Sequence, residues 1–192
     1  RKWYYLMADI RLDILPIHQL RGLMGEVKYI LDEIAAGQPD LEIINAWTTH
    51  KDAARDFIFD GTWNEIKTIQ SSSDYITISS IEQLESTSDG KLIVFHMEKM
   101  SPEFNGYSLN PLVEEILNSF ALESDRDLFL DKLAQAKYAY SEIYDNYVYN
   151  VVKTEKYRVA DNFPRFRHDD LPRGIVKVKY EIELSVIEKF KE

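Results

Sequence analysis

The sequence predicts an α/β protein of the α+β kind, with a mixed central β-sheet flanked by helices. Three observations carry this. Ile17, Leu20, Met24, Val27, Leu31 and Ile34 recur at the three-and-four spacing of a helix with one buried face. Asp60-Gly61 stands between two apolar runs, a strong short-range hairpin signal. The expected elements run helix, clustered strands, helices, strands, rather than in strict alternation.

Taken in order, residues 3–15 alternate loosely as a strand that Pro16 closes. The helix from Ile17 stops at Gly37 and Pro39. Leu41 to Trp47, with its paired isoleucines, predicts a strand. Arg55 to Phe59 and Trp63 to Ile69 predict the two arms of the hairpin. Tyr75 to Ile78 is a further short strand, with a brief helix from Ser80. Leu92 to Met97 reads as a strand of the buried type. Leu109 to Phe120 and Asp125 to Tyr140 predict helices. Tyr147 to Val159 and Ile175 to Leu184 predict strands, expected to pair as a second hairpin.

The chain has 192 residues, with Lys and Arg numbering 23 and Asp and Glu 33, for a net charge of −10. That suits one globular domain over 1–192 and excludes a generally basic nucleic-acid coat. Cysteine is absent, which excludes a disulfide framework, a Cys-based zinc site and a thiol nucleophile. It fits a reducing, cytoplasmic setting. No apolar run reaches the length of a membrane span, so no membrane partner is expected. The chain begins with Arg1 rather than Met and has no signal-peptide layout. It reads as a processed piece lacking an N-terminal segment, to which residues 1–15 could belong.

The hairpin is where chemistry gathers. With Asp60-Gly61 as a two-residue turn, Phe59 faces Thr62, and Asp56 comes to lie opposite Glu65. Directly opposed residues have Cβ atoms about 4.5–5.5 Å apart. Lys67, two residues beyond Glu65, points to the same face. Two carboxylates and an ammonium therefore converge. Like charges in opposition destabilise a sheet, and a hard divalent cation would offset them; Mg²⁺ is typically held by one or two carboxylates with water and phosphate. The implied chemistry is metal-assisted hydrolysis of a phosphodiester. A solvated charged hairpin face is the competing reading. Against it, Ile58 and Trp63 share the Asp56 face while Phe57, Phe59 and Ile66 share the other, so both faces are substantially apolar.

Asp56 followed by Glu65-Ile66-Lys67 resembles the signature of the PD-(D/E)XK nuclease superfamily: an Asp, a short gap, then Glu-x-Lys on the next strand. More closely, the chain resembles the uncharacterised PD-(D/E)XK-motif proteins encoded near bacterial restriction-modification and phage-defence genes. The matching stretches, in order, are Gly22-Leu23-Met24-Gly25-Glu26, Ala46-Trp47, Arg55-Asp56-Phe57, Glu65-Ile66-Lys67-Thr68, Ile76 to Leu84, Phe163-Pro164-Arg165 and Gly174-Ile175. Arg55 stands where the signature name has Pro, a position that varies in the superfamily.

The resemblance implies a restriction-endonuclease-like core, Asp56 and Glu65 as Mg²⁺ ligands (Mn²⁺ substituting) and Lys67 as the catalytic lysine. It also implies a further Glu on the first core helix, and Glu26 is the matching position. On a helical wheel Glu26 lies about 120° from the centre of the apolar stripe, where a solvated glutamate is usual. Gly22 and Gly25, however, leave room for close approach.

Further substrate-binding candidates are His50, Gln83, Arg165, Arg167 and Arg173. His50 precedes the Asp56 strand and could contact phosphate, or be a loop histidine without a role. Gln83 matches a family block and could position the lysine or meet the substrate backbone; the favoured reading is a capping box with Ser80. Between Phe163 and Lys179, five basic residues face two acidic ones in a chain that is acidic overall, the best local match to phosphate. Trp47 reads as core, and the tyrosines from Tyr138 to Tyr157 as packing or a partner interface.

The sequence thus points to a Mg²⁺-dependent DNA endonuclease of restriction or phage defence. Its partners would be DNA and other defence-system proteins, and its expected form a homodimer or a subunit of a larger complex. The alternative is a non-catalytic DNA-binding or scaffold module with the same fold.

Overall fold

The computed structural model describes residues 14–49 and 53–192. Helix α1 (Ile17–Ala35) follows Pro16 and is succeeded by α2 (Asp40–Ala46). Strands β1 (Phe57–Phe59) and β2 (Thr62–Gln70) form the hairpin, and β3 (Tyr75–Ile78) and a 3-10 turn (Ile81–Gln83) lead to β4 (Gly90–Lys99). Helices α3 (Leu109–Ser119) and α4 (Glu123–Gln135) come next. Strand β5 (Tyr149–Val159), strand β6 (Tyr180–Glu183) and the one-turn α5 (Leu184–Ile187) complete the order.

The main sheet runs β1-β2-β4-β5, with β2 and β4 parallel and the outer pairs antiparallel. It is mixed, as expected, and covered on both faces. On one face α1 supplies Leu20, Leu23, Met24, Val27 and Ile30 against Ile66, Ile93 and Phe95, with α3 and α4 behind. On the other, Trp63, Leu92, Val94 and Tyr157 meet Ile76, Ile78 and Ile182 of the small β3–β6 sheet. Each such side chain contributes about 1.5–3 kcal/mol when fully buried, so both layers hold the sheet firmly. Helix α1 can lie close to β2 because residue 25 is glycine: a Cβ there would stand 2.3 Å from Thr68 Cγ2.

The hairpin forms in the expected register, Phe59 to Thr62 and Phe57 to Asn64, with Gly61 supplying the left-handed φ of 77°. Other expectations are corrected. Leu41 to Trp47 is not a strand: Ile43, Ile44 and Trp47 are buried together while Leu41, Glu42 and Asn45 are exposed, which is helical spacing. Asp40 and Glu42 sit in the first turn of α2, where they complement the helix dipole. Helix α4 stops at Gln135 because Lys137 turns left-handed, with φ 63°. The Tyr138 N–H closes back on the Leu133 carbonyl, and the Tyr138 ring is buried against Tyr144. The last two strands do not pair with each other. β5 completes the main sheet on β4, and β6 finds β3, where Ile182 opposes Ile76 in the second core. The strand expected over 3–15 falls largely outside the described residues. No helix among the described residues is long and apolar enough to cross a membrane.

Candidate active site

Glu65 and Lys67 project from one face of β2, and the hairpin register continued by one residue brings Asp56 opposite Glu65. Asp56 is fixed twice over. Its Oδ2 accepts the Ile66 N–H at 2.8 Å. Its backbone carbonyl accepts from the Thr48 N–H at 2.8 Å and from Thr48 Oγ1 at 3.2 Å. Thr48 therefore anchors the strand end that carries the aspartate, a role the sequence reading did not assign.

Glu65 is only 1 % exposed. Lys67 Nζ donates to its Oε1 at 2.7 Å, while Oε2 is buried with no hydrogen-bond partner among the described residues. Burial, then the neighbouring Asp56 charge, push the Glu65 carboxyl up to about 8, against the pull of Lys67 and Arg55. Burial likewise raises Asp56, opposed by Lys67 and by the Ile66 N–H. A buried acceptor left unmatched is unusual and destabilising. Glu65 lines a cleft of about 970 Å³ together with Glu26, Asp56, Lys67 and Gln83.

Glu26 is part of this site rather than a solvated surface residue. The close packing of α1 on β2 turns it towards the two carboxylates. Burial and then the charge of Asp56 hold its carboxyl well above the usual range. Trp47 is wholly buried, as expected of a core residue, and its Nε1–H also donates to Glu26 Oε2 at 2.8 Å. The indole thus aims the carboxylate. Only the general rule that a buried Trp finds an acceptor could have hinted at this.

Gln83 does not form the expected capping box. Ser80 makes no side-chain cap hydrogen bond. Gln83 Oε1 instead accepts from Lys67 Nζ at 3.0 Å and from the Ser79 N–H at 2.8 Å. It holds the lysine in place from across the cleft. Arg55 stacks its guanidinium 4.5 Å from the Trp63 ring centroid and donates to the Glu85 carbonyl. Its charge acts on Glu65, so the residue at the signature's Pro position is electrostatically engaged with the site.

The remaining candidates are not brought together with these. The Arg165 side chain is 3 % exposed and donates to the Leu84 carbonyl at 2.6 Å; Arg167 pairs with Asp161 at 3.3 Å. Neither they nor the exposed Arg173 line the cleft, although Lys179 from the same stretch does. His50 lies outside the described residues.

Among the described residues, no three His, Cys, Asp or Glu side chains are gathered into a metal cage. The donor set fits a hard cation of the kind that takes two carboxylates and completes its shell with water and phosphate oxygens. The unpartnered Glu65 Oε2 is the specific sign of that fit.

A mixed four-stranded sheet flanked by helices, with Asp on one hairpin arm and Glu-x-Lys on the next, is the arrangement of the PD-(D/E)XK class. Within that class the chain belongs to the DUF4420 family, described as "Putative PD-(D/E)XK family member", which matches residues 1–185. No curated protein and no solved structure matches the chain.

Proposed function

We propose that this chain is a Mg²⁺-dependent endonuclease that hydrolyses DNA phosphodiester bonds. Glu65 carries the reading: a wholly buried carboxylate, opposed by Asp56, with one oxygen on Lys67 and the other unpartnered beside an open cleft. Asp56 and Glu65 would hold the metal, with Glu26 beside them and Mn²⁺ able to substitute. The bound metal would polarise a phosphoryl oxygen and lower the pKa of its water. In the hydrolysis, the oxygen of a water joins phosphorus, the bond to the leaving strand breaks, and the leaving oxygen takes up a proton.

Lys67, held by Glu65 and Gln83, offers its ammonium to the negative charge that grows on the phosphoryl oxygens. A defence role rests on the order of family-like blocks along the sequence. Cutting both strands of a duplex needs two such sites, which favours a homodimer or a larger defence complex.

The test is calorimetric titration with Mn²⁺ of the wild type and of Glu65→Gln, followed by cleavage assays. Saturable binding lost in the variant is the expected result. Identical heats in the two proteins would mean that the carboxylates hold no ion, and the non-catalytic module would replace the nuclease.

A further inference from the structure

Helix α1 also carries Arg21, five residues before Glu26. Arg21 is half-buried, and its Nε is shielded from solvent with no hydrogen-bond partner. Among the described residues it forms no ion pair either. An arginine is always charged, and a shielded N–H normally finds an acceptor. Its position shows what could satisfy it. Arg21 lines the catalytic cleft and also two adjoining cavities of about 330 and 430 Å³. The first is shared with Lys67, Gln70 and Ser73, the second with Gln70, Glu98 and Lys99. Because Lys67 links the cleft to the first cavity and Gln70 links the first to the second, the three form one trough. It runs from the carboxylates over the C-terminal end of β2.

We propose that this trough seats the sugar-phosphate backbone of the substrate strand on one side of the cut, with Arg21 as the phosphate-binding residue at the threshold of the cleft. The proposal rests on the nuclease reading and adds the direction in which the strand leaves the site. In the outer cavity Glu98 and Lys99 offset each other, so Arg21 supplies the net positive charge there. It also explains how an acidic chain meets a polyanion: through a few positioned cations around the cleft, Arg21 among them, rather than a broad basic face.

The experiment measures binding by fluorescence anisotropy, using a labelled 20-mer as single strand and as duplex, with Ca²⁺ present. All proteins carry Lys67→Ala so that nothing is cut. Arg21→Gln is expected to weaken binding roughly ten- to hundredfold, the effect of losing a charge-assisted hydrogen bond to phosphate. The slope of log K against log salt should fall by about 0.7 for the single strand or about 0.9 for the duplex, which identifies the bound form. Arg21→Lys should keep most of the affinity, and the exposed Gln70→Glu should weaken binding without touching Arg21. Melting curves check that each variant folds. Unchanged affinity and slope in both Arg21→Gln and Gln70→Glu would overturn the proposal while leaving the Mn²⁺ result, and so the nuclease reading, intact. Failure of the parent to bind either DNA also overturns it; the Mn²⁺ titration then decides separately whether the nuclease reading stands.

Discussion

Two glutamates are buried on the same face of the main sheet, and they are in opposite states. Glu155 on β5 is 4 % exposed. Burial works to raise its pKa, but hydrogen bonds from Lys191, Lys153 and His96 outweigh it and bring the carboxyl down to about 2. Its oxygens lie 2.7 Å from Lys191, 3.0 Å from Lys153 and 2.5 Å from His96. Glu65 on β2 is also buried, yet it has one hydrogen-bonded cation, a neighbouring carboxylate and, among the described residues, an oxygen without a partner. The first is saturated by the protein and pins the C-terminal residues to β5. The second is left incomplete, which destabilises the bare chain and is the feature on which the proposed metal site rests. Both carboxylates are buried but differ in their number of satisfied oxygens, and that difference is what singles out Glu65 for the proposed site.

The comparison can be broken at several points. The largest effect is expected in catalysis: Lys67→Ala should slow cleavage roughly a hundred- to thousandfold, by analogy with removing one transition-state donor. Circular dichroism should show the fold unchanged. Full activity in that variant would remove the mechanism. Next, Glu155→Ala should destabilise the protein by about 2–3 kcal/mol, below the usual figure for breaking a buried pair because its lysines are partly solvated. Urea titration measures this.

Glu65→Gln should act the other way in the metal-free protein. Folded Glu65 keeps its proton until about pH 8, whereas the unfolded residue loses it near 4.5. Between these values the folded state binds more protons, so wild-type stability falls as pH rises, and the penalty is complete only above pH 8. Asp56, also raised, adds to the same trend. The variant should be more stable than wild type at pH 8 by on the order of 1–3 kcal/mol, with little difference at pH 4. Melting temperatures across that range test it; a wild type that gains stability relative to Glu65→Gln as pH rises would contradict the assignment of Glu65 as the unsatisfied member.

The smallest effects sharpen the role of α1. Gly25→Ala drives a Cβ into Thr68 and should cost about 1–3 kcal/mol. Gly22→Ala meets nothing within 4 Å and should be neutral or stabilising by up to about 1 kcal/mol. Equal melting temperatures for the two variants would show that α1 does not depend on close approach to β2.

Some of the site was legible before the fold was known. Turn chemistry is local, so Asp60-Gly61 was enough to set the register, and the register was enough to oppose Asp56 to Glu65 with Lys67 beside them. The α1 periodicity was equally plain. The paired isoleucines of α2 misled because a short apolar run fits strand and helix alike, and only its packing separates them. Gln83 was read as a local cap because Ser80 lay at the right spacing; its stronger partner, Lys67, is distant in sequence.

The sequence by itself determined the hairpin, the helix that packs on it and the family the chain belongs to, because those rest on short-range periodicity, turn residues and ordered motifs. Only the tertiary structure decided that Glu26 joins the carboxylates, that Trp47 aims it, that Gln83 holds the lysine and that Arg21 lines the same cleft with its Nε unpartnered among the described residues. Each of these depends on how α1, the segment after α2 and the turn after β3 dock around β2. That docking is settled by the packing of two cores and by which polar atoms find partners, and neither is written in any local stretch of residues.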